Sequence, residues 1–197
     1  LGERVTDEIV AQAQRGSGPA FTVIYREISP AVLGYLRGKG VEDPEAITND
    51  VFLAVLSQVA TLRGGAVGLR KFIFSIAHAR MVDDLRRTGR RPVMGEYRAE
   101  FDDRVAESSE TLALQSIAAE QIRELIGRLA ADQGEVILLR LVADLSVAQV
   151  GAVLGKSHGA VKQLQRRGLI ALRKLIENGE EQRSCATTTR LPTAPVQ

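Results

Sequence analysis

The stretch Leu145–Leu175, LSVAQVGAVLGKSHGAVKQLQRRGLIALRKL, holds two helix-length patterns separated by a Gly-Lys-Ser break. Ser146 and Gln149, three positions apart, form a capping-box signature: the Ser side chain accepts from a free backbone N–H while the Gln side chain reaches back to the cap. A helix is therefore expected from Val147. Val147, Val150, Val153 and Leu154 recur at helical spacing, and Gly155 stands where a helix end favours a residue tolerant of a left-handed backbone. A second helix is expected after Ser157. At roughly 100° per residue, Val161, Leu164, Gly168, Leu172 and Leu175 share one face, and Lys162, Gln163, Arg166, Arg167, Arg173 and Lys174 take the opposite half. No acidic residue lies between Lys156 and Ile176. A short capped helix followed by a helix with one apolar and one cationic face reads as a helix-turn-helix, the geometry that sets a recognition helix into a DNA major groove. The plainer reading of the same residues is a helical hairpin with a solvated basic face.

Bulk composition narrows what surrounds this stretch. A chain of 197 residues can form one large or two small domains, each with its own core. The net charge is only +2, so any affinity for nucleic acid has to come from local segregation of charge. Aromatic residues make up 4% and Trp is absent, while Leu, Val, Ile and Ala dominate the apolar set; this favours packed helices over sheets, and an all-α fold is expected. The lone Cys185 excludes an internal disulfide and a Cys-based zinc cluster, and suits a reducing compartment. No apolar run reaches the length of a membrane span, and no signal-peptide core opens the chain, so a cytoplasmic location without direct membrane insertion is expected. The chain begins at Leu1 rather than Met, and its natural start is expected to be trimmed or to lie upstream. No repeat of 20–50 residues is evident, which argues against a solenoid.

In chain order, Thr6, Asp7 and Glu8 ahead of Ile9, Val10 and Ala13 predict a capped first helix closed by Arg15 and Gly16. Phe21, Ile24, Tyr25, Ile28, Val32, Leu33 and Leu36 predict a second helix over Ala20–Leu36, with a bend or restart at Pro30 and an end at Gly38 and Gly40. Asp43 and Pro44 read as a cap and a first-turn proline. The helix that follows, PEAITNDVFLAVLSQVATL, carries Ile47, Val51, Leu53 or Ala54, Val55 and Val59 as its packing stripe. Arg63–Gly68 reads as a flexible basic connector and lacks the wording of a phosphate-cradling loop. In LRKFIFSIAHARMVDDLRRTGRR, an apolar core of Phe72, Ile73, Ile76, Ala77 and Val82 gives way to Arg80, Arg86, Arg87, Arg90 and Arg91, a second basic patch. Val93–Ser109 loses periodicity and turns acidic, which predicts an interdomain linker. A second helical domain is expected from about Thr111, with Leu112, Leu114, Ile117, Ile122, Leu125, Ile126 and Leu129 as its first stripe. Asp132 is expected to cap the next helix, whose VILLRLVADL run should lie at the centre. Asn178 and Gly179 should stop the last helix, leaving a mobile, disordered tail over 179–197.

Residues for catalysis are not assembled in any pattern. His78 and His158 lie at no metal-ligand spacing from each other or from Cys185, so no metal and no cofactor is expected. The serines lack a nucleophile-elbow context, and the carboxylates cluster in the aperiodic segment. The chain does not read as an enzyme.

Taken together, these features resemble bacterial RNA polymerase sigma factors of the extracytoplasmic-function (ECF) group, over roughly Ala20–Ile176. LIGRLAADQGEVILLRLVADLSVAQVGAVLGKSHGAVKQLQRRGLIALRKL follows the family's region four in its leucine-rich run, Leu145-Ser146, Leu154-Gly155 and Gly159-Ala160-Val161-Lys162. PEAITNDVFLAV and FIFSIAHARMVDDLRR resemble the family's region two. Asn49 and Asp50 stand for the usual Gln and Glu, Phe72 for Trp, and Ala79 for an Asn associated with the melted promoter strand. Leu164 takes a position that is often Arg. The resemblance implies two small helical domains joined by a flexible acidic linker: region two over 1–92, linker over 93–110, region four over 111–178.

It further implies a subunit that directs RNA polymerase to promoters and starts transcription of a specific regulon. Its partners would be core RNA polymerase, promoter DNA and an anti-sigma factor. Glu45, Asn49 and Asp50 would dock on polymerase, and Arg80, Arg86 and Arg87 would engage the minus-ten element. Lys156, His158, Lys162, Gln163, Arg166 and Arg167 would read the minus-thirty-five element, with Leu164 and Gln165 marking where specificity departs from relatives. Two alternatives are a free-standing helix-turn-helix regulator that binds DNA without polymerase, and a sigma-like decoy that binds polymerase or an anti-sigma factor without opening promoters.

Overall fold

The computed structural model describes residues 5–89 and 124–188. Within them all regular structure is helical, in line with the expected all-α class. Helix α1 spans Asp7–Gln14, α2 Gly18–Gly38, α3 Pro44–Gln58 and α4 Gly65–Arg87, with a 3-10 turn at Val59–Thr61. Residues 124–127 are helical, and α5 (Ala131–Leu141), α6 (Val147–Leu154) and α7 (His158–Thr188) follow. The segment expected as an acidic linker lies outside the described residues, as do Leu112, Leu114, Ile117, Ile122, Arg90 and Arg91.

The first four helices are punctuated by side chains that satisfy their free N-terminal amides. The Thr6 hydroxyl accepts from Ile9 N–H at 3.3 Å, and Ser17 from Ala20 N–H at 3.4 Å. The Asp43 carboxylate accepts from Ala46 N–H at 2.9 Å ahead of Pro44, as the sequence predicts. For α4 the cap comes from another element: Asp7 of α1 accepts from Ala66 N–H at 2.7 Å. That bond starts α4 at Gly65, so the expected Arg63–Gly68 connector is shorter than its glycines imply. Gly64 makes the turn with φ 95°.

Helix α2 runs through Pro30 without a restart. The proline is exposed, and the buried stripe Ile24, Ile28, Val32, Tyr35 and Leu36 continues on both sides of it. Tertiary packing of that stripe holds the helix across the missing amide. In α3 the inner face is Ile47, Thr48, Val51, Phe52 and Val55, and Leu53 is 65% exposed. Leu53 lies two residues beyond Val51, about 200° around the helix, so it cannot share the stripe. Ile73 and Ala77 of α4 are buried as expected, joined by Leu69, Phe74, Met81 and Leu85; Phe72, Ile76 and Val82 are half-buried at the margin of the core.

In the second group, α5 buries Val136, Ile137, Leu138 and Leu139. The residue preceding its first turn is Ala130, with Asp132 inside that turn and making no capping bond, contrary to the expected cap. The carboxylate serves instead as partner to Lys156 (below). Leu141, at the end of the apolar run, is 63% exposed. The connection to α6 passes through Asp144 at φ 50°, a left-handed conformation that Asp tolerates better than most residues. The last helix continues past Asn178 and Gly179 to Thr188, because Glu180, Glu181, Gln182 and Arg183 are good helix formers that extend a helix already anchored by packing. Residues 189–197 of the expected tail lie outside the described set.

The two groups of helices pack on each other. Helix α5 closes on α2 beside Gly38, where a Cβ would stand 3.0 Å from Leu138 Cδ2, and Val142 follows against Gly34, where a Cβ would meet its Cγ1 at 3.4 Å. The Arg70 Nε of α4 donates to the Ala143 carbonyl at 2.6 Å, and Gln149 of α6 donates from its side-chain amide to the Val67 carbonyl at 3.0 Å.

Candidate nucleic-acid interface

The helix-turn-helix forms as its sequence requires. Ser146 Oγ accepts from Gln149 N–H at 3.2 Å, and Ser146 N–H donates to Gln149 Oε1 at 2.7 Å, completing the capping box. Gly155 takes φ 63° and ends α6, after which Lys156 N–H returns to the Gly151 carbonyl at 2.9 Å. The turn is tight: a Cβ on Gly151 would stand 2.7 Å from the Lys156 carbonyl oxygen. Ser157 then caps α7, accepting from Ala160 N–H at 3.2 Å. Val150 and Val161 are fully buried where the two helices meet. Gly168 lets α7 cross α5 closely, with a Cβ there at 3.0 Å from Ile137 Cγ1.

This packing fixes which side of α7 faces out. Val161 and Gly168 are buried and Leu164, Leu172 and Leu175 half-buried, whereas Lys162, Gln163, Arg166, Arg167, Arg173 and Lys174 are exposed. His158 is exposed at the start of the helix. Lys156 differs from the other expected base- or phosphate-facing residues: its Nζ lies 2.9 Å from Asp132 Oδ2, tying the turn to the start of α5. Leu164 packs against the core, so this position of α7 is a packing position. Glu177, the first carboxylate after the basic stretch, pairs with Arg173 at 2.7 Å; that contact raises the Arg173 pKa, by hydrogen bonding first and charge second.

On α4, Arg80, Arg86 and Arg87 are all exposed. Arg86 and Arg87 approach Asp83 and Asp84 of their own helix at 3.9 and 3.3 Å, loose contacts that a phosphate could replace. On α3, Glu45, Asn49 and Asp50 are exposed. Glu45 pairs with Arg37, and Asn49 Oδ1 accepts from the Tyr25 hydroxyl at 3.3 Å. Tyr25, Ser29, Pro30, Leu33, Glu45, Thr48 and Asn49 line an open groove of about 290 Å³ between α2 and α3. Leu53 and Leu56 are 65% and 52% exposed on α3. The three clusters of expected contact residues thus lie on α3, on α4, and on α7 with the turn before it.

One polar cluster escaped sequence reasoning. Between α2, α4 and α5, the Tyr35 hydroxyl donates to Glu135 Oε1 at 3.0 Å, and His78 Nδ1 lies 3.0 Å from the same oxygen and 3.1 Å from the hydroxyl. Lys39 Nζ is 3.5 Å from Glu135 Oε2. Burial alone would push the Glu135 carboxyl up, but the His78 hydrogen bond, the Lys39 and His78 charges and the Tyr35 hydroxyl together outweigh it and hold the pKa below its ordinary value. The Tyr35 hydroxyl is pushed well up, first by burial and then by the charge and hydrogen bond of Glu135. The sole hint in the sequence is local: Tyr35 and Lys39 are one helical turn apart. Nothing in it pairs them with a carboxylate about 100 residues later.

Among the described residues, no group of three or more His, Cys, Asp or Glu side chains is placed to hold a metal ion, and no helix is long and apolar enough to cross a membrane.

The family described as Sigma-70, region 4 matches residues 125–174, which include α6, the turn and α7 as far as Lys174. The chain is 29% identical over 171 residues to the ECF RNA polymerase sigma factor BldN of Streptomyces coelicolor, covering 86% of this chain and 65% of that protein. It is 29% identical over 181 residues to the ECF RNA polymerase sigma factor SigD of Mycobacterium tuberculosis, covering 87% of this chain and 84% of that one. Its fold is similar to that of CnrH, solved in complex with the cytosolic domain of CnrY, with a TM-score of 0.63, 22% identity, and coverage of 87% of this chain and 97% of that one. The region-four match and these relatives agree: residues 125–174 match region 4 of the sigma-70 family, and over most of its length the chain is similar to sigma factors of the ECF group.

Proposed function

We propose that this protein is an RNA polymerase sigma factor that directs promoter recognition and transcription initiation of a specific regulon. The observation that carries the proposal is the outward face of α7. Its cations and Gln163 are exposed along a helix whose other side is pinned by Val161, Gly168 and Leu172. The face lies behind a capped, tightly turned α6, within the region-four match. Phosphate contacts from Arg and Lys fix register, and a few side chains reaching base edges supply specificity.

Residues 111–178 act as region four, with His158, Lys162, Gln163, Arg166 and Arg167 at the minus-thirty-five element. Lys156 joins them once it is released from Asp132. Residues 1–92 act as region two, in which Arg80, Arg86 and Arg87 engage the minus-ten element. Glu45, Asn49 and Asp50 dock on core polymerase, and the exposed Leu53 and Leu56 extend that face with apolar area. Residues 93–110 connect the two. An anti-sigma factor is a further proposed partner, and the site of action is the cytoplasm. The protein is non-catalytic and supplies specificity to a polymerase that performs the chemistry. Modest overall charge suits a subunit that holds promoters only together with polymerase.

Run-off transcription tests the proposal: core polymerase plus this protein should produce a defined transcript from a cognate promoter that core alone does not. Absence of both core binding and core-dependent initiation would overturn it.

A further inference from the structure

Six lysines and arginines lie between Lys156 and Lys174, and two of them are tied off by carboxylates. Arg173 pairs with Glu177, four residues on in its own helix, an ordinary surface pair along one helix face. Lys156 pairs at 2.9 Å with Asp132, 24 positions away in the first turn of α5. Lys162, Arg166, Arg167 and Lys174 have no ion partner among the described residues. Asp132 is thus the carboxylate that another element brings to a face with no acidic residue of its own between Lys156 and Ile176.

Packing, and not the ion pair, fixes where both partners stand. Lys156 N–H donates to the Gly151 carbonyl at 2.9 Å, and the Lys156 carbonyl oxygen lies where a Cβ on Gly151 would come within 2.7 Å. Next to Asp132, Gln133 and Ile137 close on Gly168 of α7, where a Cβ would stand 3.4 Å from Gln133 Cβ and 3.0 Å from Ile137 Cγ1. With both backbones held, the flexible lysine stem is the part free to swing. The side chains of Lys156 and Asp132 are 29% and 59% exposed, so the pair adds little to stability, and Asp132 makes no capping bond for α5. What the carboxylate does change is the charge that the turn presents. A duplex phosphate reaching the turn meets Asp132 in the place it would itself take. To use Lys156 it has to displace the carboxylate, which then remains unpaired well inside the Debye length of about 10 Å at 0.1 M salt.

We propose that Asp132 acts as a phosphate mimic, occupying Lys156 and holding down the affinity of the helix-turn-helix for duplex DNA by about one backbone contact. The proposal rests on the assignment of α7 as the DNA-reading helix and deepens it. A chain restrained in this way loses less of itself to the excess of unrelated sequence in a genome, and engagement of the upstream element falls to the polymerase-bound form.

The test is a salt titration of the full chain, without polymerase, on a labelled duplex of scrambled sequence, read by fluorescence anisotropy between about 50 and 200 mM salt. Asp132→Asn keeps the side-chain shape and drops the charge. It should tighten binding by up to about eightfold at 0.1 M salt and steepen the slope of log affinity against log salt by about 0.9, the value of one added phosphate contact. Asp132→Ser should act in the same direction and serves as the second variant, with helical circular dichroism checking the fold of both. In a Lys156→Ala background, Asp132→Asn should lose most of that gain, because the two residues act as a pair. Unchanged affinity and slope in folded Asp132 variants would overturn the proposal. So would weaker binding, which would make Asp132 an orienting partner of Lys156, and so would an equal gain without Lys156, which would reduce the effect to overall charge. No binding by wild type or variants at the lowest salt would overturn it as well, since removing the carboxylate would then free nothing that DNA uses. Run-off transcription decides the sigma function separately: tighter duplex binding by Asp132→Asn, with no core-dependent transcript from the wild type, would keep the restraint and remove its place in promoter recognition.

Discussion

Replacing Arg166 and Arg167 with alanine removes two cations from the exposed face of α7 without touching its packed side. Both residues are exposed, and Val161, Gly168 and Leu172, which hold the helix, are left intact. Surface changes of this sort alter stability by no more than about 0.5 kcal/mol, so thermal unfolding should be nearly unchanged. If each arginine neutralises one phosphate, the slope of log affinity against log salt should become shallower by about 1.8, from about 0.9 per contact. Between 50 and 200 mM salt, a fourfold change, that corresponds to about a 12-fold smaller loss of affinity. The assay is a salt titration of core polymerase loaded with wild-type or double-variant protein, on a promoter fragment in which only the minus-thirty-five element is intact. An unchanged slope with normal folding would mean that this face does not meet the backbone, and the assignment of α7 as the reading helix would fall.

Three further outcomes follow from other surfaces. Replacing Asn49 and Asp50 together with alanine should lower affinity for core polymerase while the melting temperature stays within a few degrees, since both side chains are exposed; undiminished binding in a pull-down titration would move docking off α3. Gly151→Ala should lower stability by about 1–3 kcal/mol in urea titration despite alanine's better helix propensity, because its Cβ would stand 2.7 Å from the Lys156 carbonyl and the turn would have to shift. Glu135 has a lowered folded-state pKa, so its contribution is present above the ordinary carboxylate value and is lost as pH falls through the folded value. Wild-type melting temperature should therefore drop more steeply below about pH 4.5 than that of Glu135→Gln, and parallel curves would remove Glu135 as a source of acid sensitivity.

The sequence made the helix-turn-helix legible because its punctuation is local. The capping box at Ser146 and Gln149, the left-handed Gly155 and the one-sided charge of α7 are all decided by residues within a few positions of one another. The same holds for the caps at Thr6 and Asp43. Errors arose where the deciding partner is distant. The start of α4 is set by Asp7 from α1, and Asp132 answers to Lys156 in place of capping α5. Periodicity identifies an apolar face but not what covers it, and Leu53, a possible stripe residue by spacing, faces out. Pro30 and Asn178-Gly179 are breakers by propensity, and neither interrupts its helix. The residues of the three expected contact clusters are exposed apart from Lys156, which is paired with Asp132, and Leu164 is a packing residue. The seam between the two groups was invisible in the sequence: Gly34 and Gly38 read as small helix residues, and Glu135 as a polar position in an otherwise apolar run.

The central claim is that this chain gives core polymerase a promoter specificity that the polymerase lacks. Reconstitution with core polymerase on a template library, followed by mapping of transcript 5′ ends, measures this directly. A set of start sites that share upstream sequences, appear only when this protein is added and vanish with the Arg166→Ala, Arg167→Ala double variant is the predicted result. Start sites identical to those of core alone, or tight promoter binding by the isolated protein with no core-dependent transcript, would contradict it.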